Sequence, residues 1–250
     1  SIISYSCSTA RFLMMAEEVE SPAAFPMKLH QVHTERSEHV GLKLLCLSDT
    51  HDFQQFIPNG GVDSLPRADI LVHAGDFTVR GTSEEVGNFK SWMECLLSAG
   101  IVKHVVVVAG NHELSFEPWK SKHAVVREKQ EAVKSALSAV PNLHYLEDTS
   151  VEVLGIRFHG SPWTTPICGK MEWAFQMRDH ELTPKWDLIA KNAPVDVLVT
   201  HSPPLGHGDQ QILLDENGRI AEGLRAGKPP SHLGCRTLME RVVSVEPLLH

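Results

Sequence analysis

Four short apolar runs constrain this chain most: Leu42 to Leu47, Ile70 to Ala74, Val105 to Ala109 and Val195 to Thr200. Their apolar residues stand next to one another instead of alternating with polar ones. A strand with one wet face alternates, so near-continuous runs of this length predict strands covered on both faces. Helical patterns lie between them. Thr82-Ser83-Glu84-Glu85 reads as a capping box, followed by Val86, Phe89, Trp92, Met93, Leu96 and Leu97 on one face. Val125, Val126, Ala132, Val133, Ala136 and Leu137 mark a second helix, closed by Pro141. Ser231 is read as the cap of a third, with Leu233, Leu238, Met239, Val242 and Val243 on its apolar face. Val151 to His159 predicts two short strands turning at Leu154-Gly155. Strand and helix alternating in this way predict an α/β protein.

The 250 residues, 42% of them hydrophobic, suffice for a sizeable core without disulfides or structural metal. The net charge of −8 argues against broad binding to nucleic acid or to an anionic membrane. No apolar run approaches the roughly 18 residues that span a bilayer. The five cysteines are odd in number and form no CxxC, so a reducing, cytoplasmic setting is expected. Cys46 and Cys95 read as small buried hydrophobes. Residues 1–40 show no sustained period and are expected to be a disordered extension ahead of a domain over 41–250. Residues 1–16, with one Arg, several Ser and no acid, have transit-peptide features or are a disordered leader. The chain starts at Ser1 and reads as a fragment.

In open α/β sheets, ligands bind beyond the carboxyl ends of the strands. The first run leads into Ser48-Asp49-Thr50-His51, the second into His73-Ala74-Gly75-Asp76, the third into Gly110-Asn111-His112-Glu113, and the fourth into Thr200-His201-Ser202-Pro203-Pro204. One such Asp or His is ordinarily a turn or cap residue. Four successive strand ends carrying Asp and His, Asp, Asn and His, and His predict a metal site. Oxygen and imidazole donors without thiolate favour Mn²⁺, Fe or Zn²⁺, with Mg²⁺ less suited to two imidazoles. The set also suits two ions with one bridging carboxylate, which would make a bridging hydroxide available as nucleophile.

At these residues the sequence resembles the calcineurin-like metallophosphoesterase superfamily, whose pattern runs D-x-H, G-D, G-N-H-[ED], a histidine motif and G-H-x-H. The first four stand here as Asp49-Thr50-His51, Gly75-Asp76, Gly110-Asn111-His112-Glu113 and His201. Leu71 to Thr78, Gly160-Ser161-Pro162-Trp163 and Thr200 to Asp209 resemble its metallophosphoesterase-domain-containing, or UPF0046, branch. The resemblance implies a four-layer αββα sandwich of two mixed sheets flanked by helices. It implies that Asp49 and His51 bind a first metal, that Asp76 bridges, and that Asn111 and His201 bind a second. It implies that His112 faces the phosphate as general acid. Two divalent ions are the implied cofactor, with Mn²⁺ first. A small phosphodiester or a cyclic nucleotide is the implied substrate. The G-H-x-H motif is absent, and Val245 to His250 reads as the strand leading into it. That absence leaves a second expectation open, a catalytically impaired nucleotide- or phosphate-binding protein, or a scaffold, on the same fold.

Other residues carry two readings each. His207 is a substrate contact at the pocket rim or a loop histidine bonded to backbone. Trp163 stacks on a base or packs in the core. His73 is read as a core histidine behind the site, and His104, His123, His144 and His180 as surface residues. The loop from Gly218 to Pro230, with Arg219, Arg225 and Lys228, guides an anion or merely connects. No G-x-S-x-G, P-loop or dinucleotide fingerprint is present.

Overall fold

The computed structural model describes residues 15–18, 27–32, 41–56, 58–62, 64–117, 124–166, 173–209 and 232–250. Its larger sheet holds β1 (Met15–Glu18), β2 (Met27–Val32), β3 (Leu42–Leu47), β4 (Ile70–His73), β5 (His104–Val108) and β6 (Leu143–Leu146), side by side in that order. The smaller sheet orders β7 (Thr149–Val153), β8 (Ile156–Ser161) and β9 (Val197–Thr200). The described residues also form four α-helices, α1 (Ser83–Ser98), α2 (Ala124–Ser138), α3 (Thr183–Lys191) and α4 (Arg236–Val245), and four short 3-10 turns.

Both sheets are mixed. β3 to β6 run parallel, with Leu47 beside His73 and His73 beside Val107, so their carboxyl ends reach one edge together. β8 and β9 are parallel and β7 is antiparallel to β8. The expectation of two covered faces holds for the apolar residues of these strands, Lys43 of β3 being exposed. Leu44, Ile70, Val72, Val106 and Val108 join Phe158, Val197 and Val199 in one core between the sheets. Leu45, Leu47, Leu71, Val105 and Val107 face the other way, into a core shared with Val86, Phe89, Met93 and Leu96 of α1 and Leu137 of α2. Leu198 of β9 does the same against Trp186 of α3 and Leu238 of α4. The layers are therefore helix, sheet, sheet, helix. Each of these side chains, removed from water, contributes roughly 1.5–3 kcal/mol.

The structure differs from the sequence reading at several points. Residues 1–40 are not wholly an unstructured extension: β2 pairs antiparallel with β3 from Met27–Leu47 to Val32–Leu42, and β1 pairs with β2. The physical reason is the free edge of β3, whose N–H and C=O groups need a partner. Residues 1–14 lie outside the described residues. α1 begins with the expected capping box, Glu85 N–H donating to Thr82 Oγ1 at 3.2 Å and Thr82 N–H donating to Glu85 Oε2 at 2.8 Å. α4 starts later than expected. Its cap is Cys235, whose Sγ accepts the Leu238 N–H at 3.4 Å; Leu233 precedes the helix, Val243 is exposed, and Ser231 lies outside the described residues. Cys95 is exposed on α1 rather than buried, and Cys46 is partly buried. His104 and His144 are not simple surface residues; they are half-buried on neighbouring strands with ring centroids 6.0 Å apart. His180 is exposed as expected. Cys7, Cys168, His123 and the Gly218–Pro230 loop lie outside the described residues. Among the described residues no helix is long and apolar enough to cross a membrane.

Candidate metal centre

The carboxyl ends of β3, β4, β5 and β9 deliver their polar residues to one cleft of about 710 Å³. Asp49, His51, Asp76, Asn111, His112 and His201 all line it. The turns that carry them are unusual. Asp49, His51 and Asp76 have φ values of 54°, 43° and 54°, a left-handed backbone that non-glycine residues adopt only when neighbours hold it. Here the loops hold one another. Asp49 N–H donates to Gly75 O at 3.0 Å and His51 N–H donates to Asp76 O at 2.9 Å. Gly75, at φ 102°, has no room for a side chain, since a Cβ would lie 2.7 Å from His201 Nδ1.

The histidines are oriented from behind. His51 Nδ1 lies 3.2 Å from Thr78 O, His112 Nδ1 lies 2.7 Å from Val79 O, and His201 Nδ1 lies 2.9 Å from Ala74 O. A carbonyl only accepts, so each Nδ1 carries the proton and donates it. In the neutral rings every Nε2 then has a bare lone pair aimed into the cleft. Around Asp76 Oδ2 lie His51 Nε2 and His112 Nε2, each at 3.9 Å, and Asp49 Oδ1 is 3.9 Å from the same His51 nitrogen. Around Asp76 Oδ1 lies His201 Nε2 at 3.4 Å, and Asn111 Oδ1 is 3.1 Å from that nitrogen. Asp76 therefore turns one carboxylate oxygen to each of two groups of acceptors. Acceptors that converge with few donors between them require a proton or a cation, so the donor set fits divalent metal. His51, Asp76 and His112 alone present three ligand atoms within 4.8 Å of one another.

Electrostatics agree. Burial works against a charge on His201, but the Asp76 and Asp49 carboxylates and the Ala74 carbonyl outweigh it and raise its pKa. A proton there and a cation there compete for the same acceptors.

Two residues that hold the centre were not legible as such in the sequence. Glu113 is fully buried, and Oε2 accepts N–H groups of Asp76 at 2.9 Å and Gly110 at 2.6 Å. Its Oε1 accepts from the Thr78 N–H at 2.9 Å and the Thr78 hydroxyl at 2.8 Å. Burial, with the Asp76 charge beside it, pushes this carboxyl up to about 7, against the pull of the four donors. The available signal was its place three residues after Gly110, at the end of the third strand's turn. The other is Trp173, whose ring stacks on His112 with centroids 4.4 Å apart and planes at 30°. Nothing near Trp173 in sequence points to that contact.

The remaining candidates fall as follows. His73 is fully buried behind the site; it accepts the Gly75 N–H at Nδ1 and its Nε2 lies 3.0 Å from Thr50 Oγ1, joining two of the loops. Burial lowers its pKa to about 3, so it is neutral. Trp163 is a packing residue: it is buried, and its Nε1 donates to Asp148 Oδ2 at 2.9 Å. His207 is exposed on the cleft rim, with its backbone N–H donating to Pro204 O at 3.1 Å.

A family model described as calcineurin-like phosphoesterase matches residues 42–221. The chain is 33% identical over 220 residues to the human protein named metallophosphoesterase domain-containing protein 1, covering 83% of this chain and 58% of that one. It is 35% identical over 233 residues to a UPF0046 protein of Caenorhabditis elegans, covering 86% of this chain and 51% of that protein. The chain thus spans little more than half the length of these relatives.

Proposed function

Because this chain belongs to the calcineurin-like phosphoesterase family, we propose that it is a metal-dependent phosphoesterase acting on phosphodiesters, cyclic nucleotides among them. The observation that carries the reading is Asp76, with one carboxylate oxygen turned to His51 and the other to His201. Asp49, His51 and Asp76 would hold one divalent ion and Asp76, Asn111 and His201 a second, with Mn²⁺ the ion favoured by this mixed donor set. When bound, the ions supply charge neutralisation for the phosphate and a water acidic enough to attack it near neutral pH.

The protein's own groups do the rest. The Nδ1 hydrogen bonds to Thr78, Val79 and Ala74 carbonyls keep the three imidazoles pointing into the cleft before any substrate arrives. Asn111, whose backbone carbonyl accepts the Ala174 N–H, presents its side-chain Oδ1 as a neutral oxygen where a second carboxylate would repel the phosphate. His112, when protonated at Nε2, donates that proton to the leaving oxygen, a role worth about 10²–10⁴ in rate. His207 lies at the rim, where the substrate's remaining ester group enters.

The test is hydrolysis of bis(p-nitrophenyl) phosphate by the chain loaded with Mn²⁺, alongside His112→Ala. Turnover that falls at least about 100-fold in the variant, with metal content retained, supports the reading. Metal and phosphate binding without turnover would favour a binding protein on the same fold. Loss of metal in His112→Ala would make His112 a ligand instead of an acid.

A further inference from the structure

Trp173 has no part in the function as described, yet it covers one face of the ring that would deliver the proton. We propose that Trp173 is a positioning residue for His112, its indole fixing the imidazole plane so that Nε2 stays aimed at the reacting phosphate. The proposal rests on the reading of His112 as general acid.

Among the described residues, three contacts orient the His112 ring from outside the cleft's carboxylates. At one vertex Nδ1 donates to Val79 O at 2.7 Å. A single hydrogen bond is a hinge, because the ring can swing about it while keeping the bond. On one side the His51 ring meets it nearly edge-on, centroids 4.5 Å apart and planes at 71°. His51 is itself oriented as a metal ligand, so its position is set by other demands. Trp173 lies nearly parallel to the ring, 4.4 Å away at 30°. Without the indole that stacking contact is lost, and the ring is freer to swing Nε2 away from Asp76 Oδ2.

The indole is a firm support because its strap is fastened to the same loop that carries His112. Ala174 N–H donates to Asn111 O at 3.0 Å, so the residues after Trp173 and the residue before His112 are joined directly. Phe175 N–H donates to a Glu117 carboxylate oxygen at 2.9 Å, just beyond the same loop. Thr164 N–H donates to Phe175 O at 2.9 Å and Met177 N–H donates to Thr164 O at 3.1 Å, which ties the strap to the end of the second sheet. Ala174 and Phe175 are buried. The Trp173 backbone N–H, finally, donates to Gln176 Oε1 at 3.2 Å. A side chain placed by this many backbone bonds is part of a rigid wall, and it reaches His112 from far away in sequence.

In the step concerned, the oxygen of a water forms a bond to phosphorus and the P–O bond to the leaving group breaks. The leaving oxygen takes the proton from His112 Nε2, the water's surplus proton passes to solvent, and His112 is recharged from solvent. A diester and water become a monoester and an alcohol. A misaimed Nε2 slows this step most when the leaving group is a poor anion.

The experiment compares Trp173→Phe, Trp173→Leu and His112→Ala with the unmodified chain on two substrates, methyl phenyl phosphate and methyl p-nitrophenyl phosphate. p-Nitrophenolate leaves readily without a proton; phenolate does not. We expect Trp173→Leu to lose kcat roughly tenfold more on the phenyl than on the nitrophenyl substrate, with KM changed less than about threefold. Trp173→Phe, which keeps a flat face, restores most of the loss. Metal-free preparations of the same chains, without substrate, are read by NMR at the His112 Cε1–H resonance, assigned by its disappearance in His112→Ala. It should be a single narrow line in the unmodified chain and in Trp173→Phe, and broadened or averaged in Trp173→Leu. Equal losses on both substrates, a loss confined to KM, or an unaltered His112 resonance in Trp173→Leu would overturn the proposal. If His112→Ala itself costs both substrates equally, the general-acid reading fails first, and that outcome is distinct from a failure at Trp173.

Discussion

Glu113 holds Asp76 from inside the protein, its Oε2 accepting the Asp76 backbone N–H at 2.9 Å. Two carboxylates thus stand back to back, one wholly buried and one facing the cleft. The buried one fixes a turn whose backbone is left-handed at Asp76, a conformation that would otherwise relax.

Glu113→Ala strips three N–H groups and one hydroxyl of their acceptor. Urea unfolding should show a loss of more than about 3 kcal/mol, since each orphaned buried donor costs about 1–3. Glu113→Gln keeps the volume but turns an amide NH₂ toward donors. It should fall between the two in stability and bind metal more weakly than the unmodified chain. A Gln variant indistinguishable in both would show that the turn holds without the carboxylate.

Gly110→Ala probes how closely the loops meet. A Cβ at residue 110 would come within 2.6 Å of His201 Cε1 and press on the Asp76 carboxylate as well. Circular dichroism should remain that of the unmodified chain, while calorimetric titration with Mn²⁺ shows affinity reduced at least about tenfold, the direction expected when a ligand shell is displaced. Unchanged affinity would mean the loops have slack that the contact distances deny.

Acid should destabilise the fold through its buried neutral histidines. Burial lowers His73 to about 3 and His159 to about 4, and both side chains are fully buried. In the unfolded chain a histidine binds a proton near pH 6.5, so below that pH the unfolded state holds more protons and stability falls as pH drops. The contribution is whole above about pH 6.5 and is lost progressively down to about pH 4 for His159 and about pH 3 for His73. At pH 5 each histidine should cost about 2 kcal/mol relative to pH 7.5. His159→Asn, which keeps a partner for the Ser150 hydroxyl, should shrink the difference between urea unfolding at the two pH values by about that amount. An undiminished difference would assign the acid sensitivity to other groups.

Much of the centre was readable because the strands are buried on both faces. Consecutive apolar residues such as Val105 to Val108 leave no ambiguity about where a strand ends, and the polar residue that follows must sit at the sheet's edge. Hence the sequence alone puts Asp49, Asp76, Asn111 and His201 at the ends of these strands, where the cleft lies. β1 and β2 are not legible in the same way, since Met15–Glu18 and Met27–Val32 contain no run of consecutive apolar residues comparable to the other strands. Nor did sequence distinguish Ser231 from Cys235 as a cap, because a thiol buried against Asp179 can do what a hydroxyl does at a more exposed helix start. Cys95 was misplaced by helical period alone, which cannot say how wide the covered stripe is. Glu113 and Trp173 act through contacts far apart in sequence, which local pattern does not encode.

Asp76 serves both sides of the centre, and metal content tests that directly. Purified chain saturated with Mn²⁺ and freed of excess should carry about two equivalents by elemental mass spectrometry, the number expected if each oxygen of the Asp76 carboxylate serves one ion. Asp76→Asn, with circular dichroism unchanged, should retain less than about one, because losing one charge weakens both sides at once. A variant that keeps the full metal content of the unmodified chain would contradict the account at its centre.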